Sequence, residues 1–596
     1  MSTQEEIMQR AASSEALMGK RVPWIHILGT VAVFAVILVV AGSFYIRTFE
    51  GLVTPNSMDM AQIARNIVQG NGFTTCFVRP FNVPFFHDEF RFYPELNHGP
   101  VFPYAIATFF KIRSVSEQVT VWTSLLFMLL TAGATYILGR LLFDWRAGLL
   151  AASVFALSLP VLKAATAGEE WTLIAFLFTL LLCAMALHHR STERRSTVAG
   201  MLYGALSAIL LAALYMTNHV LVFLVIPMAV YFAVTGPARK LHLIIFLLVC
   251  ILAVSPWAIR NGLATGSPVL GLTGWDLMSN TSAFPNDALS RSTDEGSHSL
   301  RKLLLFPLEQ FPSFTDKLAK GSGEATGAAL VMLGWLVVPV ALVSMLYRFR
   351  SSSANAVRGF VYGALPLMVA CFALFSVGGK AMVMFAPIAA VMGSAYFLLL
   401  LDAKKLHPFF AKSLVGGLLF LTAYPALVAG FWKDNKPLPP GAAMADRLFS
   451  YSRFMRIAAL TPIYTDVPWV VAWRANGVGV WLPRSDTDII EVNLRGLPMN
   501  IIVLTSEADN YSTDEVWYVL HRVRLWREYV KDPKEGVRQI VEAAGLQGET
   551  ARDASKTLDR FSRKFRVSDT IKGFAAQRED PLSPDDLQIL VRKEAQ

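Results

Sequence analysis

The chain has 596 residues, of which 54% are hydrophobic, 12% aromatic and only 16% charged, with a formal net charge of +10 and a mean hydropathy of +0.45. That balance excludes a disordered chain and an ordinary soluble domain, and with repeated long apolar runs it describes a polytopic membrane protein. Most Lys and Arg of the first two-thirds lie in short loops between apolar runs, where topology and lipid headgroups explain them better than nucleic acid does, and the four scattered cysteines (Cys76, Cys183, Cys250, Cys371) form neither a disulfide framework nor a metal-ligand spacing.

In chain order, a polar start is followed by an apolar run at 23–46, too long for a cleaved signal and read as a retained anchor. The stretch Pro55 to Tyr104 carries Asp59, His87, Asp88, Glu89, Glu95 and His98 and is too polar to span a bilayer. Within it MDMAQIARNIVQGNGF predicts a short amphipathic helix closed by Gly70 and Gly72. Asp59 falls in its first turn, where the positive helix end favours an ionised carboxylate. Further apolar runs near 118–139, 147–162, 171–187, 198–216, 219–235, 241–258, 327–346, 359–376, 381–401 and 412–432 bring the count to about eleven spans.

Every second loop, at 140–146, 188–195, 237–240, 347–358 and 402–412, is basic and therefore predicted to be cytoplasmic together with the N-terminus. The first loop (47–117), a second large loop (259–326) and everything after the last span then face outward. The composition changes at 433: KDNKPLPPGAAM reads as a linker. Beyond it a helix near Met444 to Leu460, strands at Ile463 to Ala472, Val478 to Leu482 and Asn500 to Thr505, a helix at Thr513 to Tyr529 and a loosely ordered tail predict a small α/β domain over 433–596, outside the membrane.

The residues that could carry chemistry gather on that outward side. A carboxylate at the mouth of a membrane cavity can act as general base once partial desolvation raises its pKa, which makes Asp59, Glu169 and Glu170 candidates. On a helix the two glutamates would point about 100 degrees apart, so at most one would face a cavity. Arg260 after the seventh span and Lys380 at the start of the tenth could hold a phosphate, the first as a planar fork and the second as a point charge. His98, before a Gly-Pro step and near Glu95, could bind a metal or a substrate hydroxyl, whereas the run His87, Asp88, Glu89 matches no recognised ligand spacing. For each of these a helix cap, a solvated loop residue or a lipid-phosphate anchor is the competing reading.

Three stretches resemble the GT-C superfamily of membrane glycosyltransferases, in its bacterial branch related to protein O-mannosyltransferases, aminoarabinose transferases and lipopolysaccharide galacturonosyltransferases. They are SMDMAQIARNIVQGNGFTT followed by HGPVFPYAIATFFKI, PWAIRN followed by GSPV, and YTDVPWVVAWRANGVGVWLP. The resemblance implies a GT-C-like membrane module (1–432) that moves a sugar from a polyprenyl-phosphate-linked donor to a lipid, glycan or protein acceptor, with inversion, in the bacterial inner membrane and on its periplasmic face. It places the first-loop catalytic aspartate on Asp59, the acid opening the fourth span on Glu169 or Glu170, and the donor-phosphate residues on Arg260 and Lys380. Asn218 and His219 stand where members often carry Arg, and Asn97, His98, Gly99 and Pro100 replace the Glu-Lys-Pro-Pro of the aminoarabinose branch, which argues against that branch. Glu95, His98, Asn218 and His219 are the expected substrate contacts, no cofactor is assigned, and a divalent cation is left open. A transporter or lipid flippase is the alternative, but the internal repeats it predicts are not seen.

Overall fold

The computed structural model describes residues 24–86, 91–266, 268, 271–293, 300–404, 406–431 and 460–505, with 507–508, 511, 517, 564–567 and 587–592 beyond them. The helices begin with α1 (Trp24–Thr48), α2 (Pro55–Val68), α3 (Val101–Ile112), α4 (Glu117–Leu142), α5 (Trp145–Leu157), α6 (Leu159–Thr166) and α7 (Trp171–Glu193). They continue with α8 (Thr197–Tyr215), α9 (Val225–Val234), α10 (Arg239–Thr265), α11 (Leu300–Glu309) and α12 (Phe311–Val331). The bundle closes with α13 (Gly334–Leu346), α14 (Ser352–Leu374), α15 (Ala386–Ala403) and α16 (Pro408–Phe431).

Among the described residues eight helices are long and apolar enough to cross a membrane, and the pair α5 and α6, bent by 60°, makes a ninth. The bend has a local cause: Ser158 is extended, and Pro160 then starts α6 without an N–H to carry the ladder on. Two of the eleven predicted spans are shorter than expected, falling on the apolar helices His219–Val234 and Val337–Leu346. The predicted loop 259–326 is largely helical. Helix α10 runs on to Thr265 with Pro256 inside it, and α12 occupies 311–331, where Gly321 lets it lie directly on Ala373 of α14.

The basic turns meet at one end of the bundle. Arg146 reaches Asp402 at 3.4 Å, His189 Nε2 lies 2.7 Å from Ser352 Oγ, and the Phe143 and Phe349 rings pack at 4.8 Å. The acidic loops lie at the opposite ends of the same helices.

The C-terminal region and the first loop share one sheet. Strands β1 (Thr74–Thr75), β2 (Phe77–Val78) and β3 (Tyr93–Pro94) belong to the loop; β4 (Ile463–Thr465), β5 (Gly479–Trp481), β6 (Ile501–Thr505), β7 (Phe565–Val567) and β8 (Leu587–Arg592) follow the bundle. The larger sheet has the order β2-β5-β4-β6-β8-β7, parallel from β2 to β6 and antiparallel beyond. The strand expected at 463–472 stops at Thr465, because Pro468 opens a helix, α17 (Pro468–Arg474). A helix absent from the sequence reading, α18 (Asp486–Leu494), starts from a Ser485–Asp488 capping box. The predicted linker and the helices near 444–460 and 513–529 lie outside the described residues except at Leu460 and Trp517; in the tail, the described 587–592 form β8 rather than a loose segment.

Helix α17 is fastened to the loop by charged side chains. Arg65 of α2 donates to the carbonyls of Ala472 (2.7 Å) and Trp473 (2.8 Å). Glu117 accepts from Trp473 Nε1 (2.7 Å) and the Leu52 N–H (3.1 Å) and pairs with Arg474 (2.9 Å). Met58, Ala61, Phe102, Val470 and Trp473 share one apolar cluster beneath these bonds.

Candidate functional site

Helix α2 begins earlier than its apolar spacing suggests. Thr54 caps it, accepting from the Ser57 N–H at 3.2 Å, and Pro55 fills its first position, so Asp59 lies in the second turn and not in the first as expected. The carboxylate is only 1% exposed. Its Oδ2 accepts from Arg79 Nη2 at 2.6 Å and faces His98 Nε2 at 2.8 Å, while Oδ1 accepts from Gln62 Nε2 at 2.9 Å. Gln62 is fixed in turn by Thr75 Oγ1 (2.7 Å) and the Cys76 N–H (3.0 Å).

Burial alone would raise the Asp59 carboxyl, but the Arg79 and His98 charges hold it well below the usual carboxylate range. Burial likewise presses the His98 imidazole down, and Asp59 more than offsets it, so its pKa is raised. The three side chains thus form one linked group around the buried Asp59 carboxylate. Arg79 Nη1, buried and with no hydrogen-bond partner among the described residues, is an unused donor of that group.

His98 is positioned by its neighbours. Glu95, fully buried, accepts from the N–H groups of Asn97 (2.7 Å) and His98 (2.9 Å) through Oε1, and its Oε2 is an unpartnered buried acceptor. Arg260 donates to the Glu95 carbonyl from α10 and stacks over Trp257 (4.7 Å) and Phe73 (5.5 Å). At Gly99 an added Cβ would lie 2.0 Å from the Met216 carbonyl oxygen, so only glycine allows this loop to rest on the end of α8. Nearby, Asn218 Oδ1 accepts from the Val220 N–H (3.2 Å) and caps the 3-10 turn His219–Leu224, and His219 Nε2 lies 3.9 Å from Asp276 Oδ2.

Both glutamates at the head of α7 are buried, each with its own partner. They precede the helix instead of lying along it, so the helical offset does not apply. Glu170 Oε2 accepts from Asn56 Nδ2 at 2.7 Å, one turn before Asp59 on α2. Burial and the Glu169 charge raise the Glu170 carboxyl. Glu169 pairs with Lys380 at 3.1 Å and accepts from Trp171 Nε1 at 3.1 Å. Lys380 itself, 62% exposed, stands on the 3-10 turn Gly379–Phe385.

Asp59, Glu95, His98 and Arg260 therefore form one linked group, Glu170 is tied to the same helix, His219 meets Asp276, and Glu169 with Lys380 makes a separate pair. Arg79, Asn56, Gln62 and Asp276 were not singled out from sequence, and Gly99 was noted only within the Asn97 to Pro100 stretch. The only hints were a basic residue inside an acidic loop (CFVRPFN) and the three-residue spacing of Asn56 from Asp59. His87, Asp88 and Glu89 lie outside the described residues. Among the described residues no three His, Cys, Asp or Glu side chains are grouped as a ligand set, so a divalent cation has no preformed cage there.

Residues 97–259 match the family model of dolichyl-phosphate-mannose-protein mannosyltransferases. In structure the chain is similar to the oligosaccharyltransferase of Archaeoglobus fulgidus in its apo form, at 12% identity over 82% of this chain and 71% of that one, with a TM-score of 0.54. The same organism's AglB, solved with an inhibitory peptide and a dolichol-phosphate, aligns at 12% identity over 83% and 71%, TM-score 0.53. ArnT from Cupriavidus metallidurans in the apo state aligns at 14% identity over 81% and 94%, TM-score 0.41. No curated protein matches the chain in sequence.

Proposed function

We propose that this chain, a multi-pass membrane protein with the GT-C glycosyltransferase fold, transfers a sugar from a polyprenyl-phosphate donor to an acceptor hydroxyl at the membrane surface that carries its acidic loops. The observation that carries the reading is the Arg79–Asp59–His98 group, with an unused guanidinium N–H, beside Arg260. A site of that kind favours an anion, and a lipid phosphate leaving from a sugar is an anion generated where water is scarce. The archaeal oligosaccharyltransferase with this fold was solved with a dolichol-phosphate, a ligand of the same chemistry.

In this mechanism the prenyl tail lies between spans and the phosphate is drawn to Arg260 and Arg79. Lys380 approaches once its pair with Glu169 opens. Asp59, kept ionised, holds Arg79 and His98 in place and faces the sugar's developing positive charge, and Glu170 with Asn56 orients a hydroxyl. In-line attack by the acceptor inverts the anomeric carbon. The basic end of the bundle is cytoplasmic and the sheet periplasmic in a bacterial inner membrane, with a lipid, glycan or protein as acceptor. The test is Asp59→Asn in proteoliposomes supplied with polyprenyl-phosphate sugars and envelope acceptors. Loss of transfer, with an inverted product from the wild type by NMR, supports the reading; undiminished transfer by the variant refutes it.

A further inference from the structure

Gln62 stands one turn after Asp59 on α2 and is fully buried. Every hydrogen-bonding position of its amide is taken. Nε2 donates to Asp59 Oδ1 (2.9 Å) and to Thr75 Oγ1 (2.7 Å), and Oε1 accepts from the Cys76 N–H (3.0 Å) and from Asn66 Nδ2 (3.3 Å). The partners fix which end of the amide is which, because a main-chain N–H requires the oxygen and an ionised carboxylate requires the nitrogen. Turning the amide over would set oxygen against Asp59 and N–H against N–H in a site without water to repair the loss, so it keeps one orientation.

The amide is held in turn by the C-terminal region. Cys76, whose N–H it accepts, lies between β1 and β2, and the Cys76 carbonyl accepts from the Gly479 N–H of β5 at 3.0 Å. There β2 pairs with β5 in parallel register, Phe77 opposite Gly479. Successive hydrogen bonds thus lead from Asp59 through Gln62 and the main chain of Cys76 to β5. Strand β5 is seated on α17, since an added Cβ at Gly479 would lie 2.4 Å from the Pro468 carbonyl oxygen and 3.0 Å from the Pro468 Cα. Arg65, one turn beyond Gln62, makes the second tie from α2 to the same region through the Ala472 and Trp473 carbonyls.

We propose that Gln62 is a positioning residue through which the C-terminal sheet sets the Asp59 carboxylate. By occupying Oδ1 it leaves Oδ2 to Arg79 (2.6 Å) and His98 (2.8 Å), so the anion and its two partners keep one arrangement. The inference rests on the glycosyl-transfer reading above, and it gives the C-terminal region a part in building the site. The charged and titratable groups around the amide are Asp59 with Arg79 and His98, and Cys76 with Arg65 and Arg91. In Gln62→Glu a carboxylate oxygen replaces the donor that faces Asp59, and two carboxylates so close share one proton once pH falls. That proton restores the missing hydrogen bond. At higher pH the two anions repel, and Asp59 turns from its place.

The experiment uses the full chain in nanodiscs, a radiolabelled pool of polyprenyl-phosphate sugars as donor and the envelope extract of cells lacking the chain as acceptor. Gln62→Met, which keeps the length of the side chain and none of its bonds, is expected to lower kcat about 10²-fold at every pH. Gln62→Glu is expected to lose as much at about pH 8 and to recover about tenfold relative to wild type at about pH 5. Loss of packing alone produces no such pH response. Gly479→Ala, which moves β5 off α17, is expected to lower kcat as well, and its loss should not multiply with that of Gln62→Met, since both act along one path. Gln62→Met turning over like wild type, or a Gln62→Glu to wild-type ratio that does not change with pH, overturns the proposal. Multiplying losses overturn the role given to the sheet. Where neither Gln62 variant accumulates folded, Thr75→Val should lose turnover that Thr75→Ser, which keeps the hydroxyl, recovers; equal turnover in the two overturns the proposal instead. A wild type that transfers no sugar to any acceptor sinks the parent reading, and this assignment with it.

Discussion

Gly99→Ala asks the backbone for room it does not have. The new Cβ would lie 2.0 Å from the Met216 carbonyl oxygen, 2.6 Å from its carbon and 3.1 Å from the Thr217 carbonyl oxygen, whereas ordinary contact begins at 3.4 Å. The loop must therefore retreat by 3.4 − 2.0, about 1.4 Å. Every obstructing atom is main chain, so no side-chain rotation relieves the clash. His98 is the preceding residue, and its Nε2 reaches Asp59 Oδ2 at 2.8 Å, a bond that such a retreat breaks. A misplacement of about 1 Å can cost about 10²-fold in rate, and overpacking of this kind costs about 1–3 kcal/mol. Turnover of Gly99→Ala with polyprenyl-phosphate donors should fall about a hundredfold, with a lower melting midpoint in nanodiscs. Wild-type turnover together with a wild-type midpoint refutes the claim that the Met216 main chain sets the position of His98.

Arg79→Met leaves Asp59 buried with one cation fewer and should cost about 3–5 kcal/mol in stability; adding Asp59→Asn should recover part of that loss in melting experiments. Glu117→Ala removes the acceptor shared by Leu52, Trp473 and Arg474. Its charged hydrogen bonds contribute about 1.5–3 kcal/mol each when buried, and less here because the site is partly exposed, so faster limited proteolysis around α17 is the expected readout. The Asp59–His98 pair also has a pH signature. Asp59 is held below its usual 3.8, so its contribution is complete above that pH and is lost as pH falls through the lower folded value. His98 is raised above its usual 6.5, so its contribution is complete below that pH and is lost as pH rises through the higher folded value. The melting midpoint should therefore exceed that of Asp59→Asn by a constant margin between pH 3.8 and 6.5, narrowing on either side.

Much of the membrane part was legible because its determinants are local. A bilayer demands a run of apolar residues, and eight such helices are found among the described residues where the runs were predicted. Glycines with positive φ at 70 and 72 follow α2 as its sequence suggested. One local rule misled where two of them competed. The apolar run from Ile463 reads as a long strand, but Pro468 lacks the N–H a strand needs and suits a helix start, so the strand ends after three residues.

The candidate site was legible only by residue type. Asp59, His98, Glu95, Arg260 and the two glutamates could be named as polar groups at a membrane surface, where each needs a reason to be. Which groups face one another could not, since Arg65 bonds a carbonyl 408 residues away and Lys380 pairs across 211. Arg79 and Asp276 carry no signature beyond their charge, and Gly99 matters only because the Met216 carbonyl lies against it. Spans, caps and turns follow from interactions within a few residues, so the chain alone determined them. Electrostatic partnership is decided by distance in space, and β2 joining β5 across some four hundred residues is the kind of contact that only the folded chain creates.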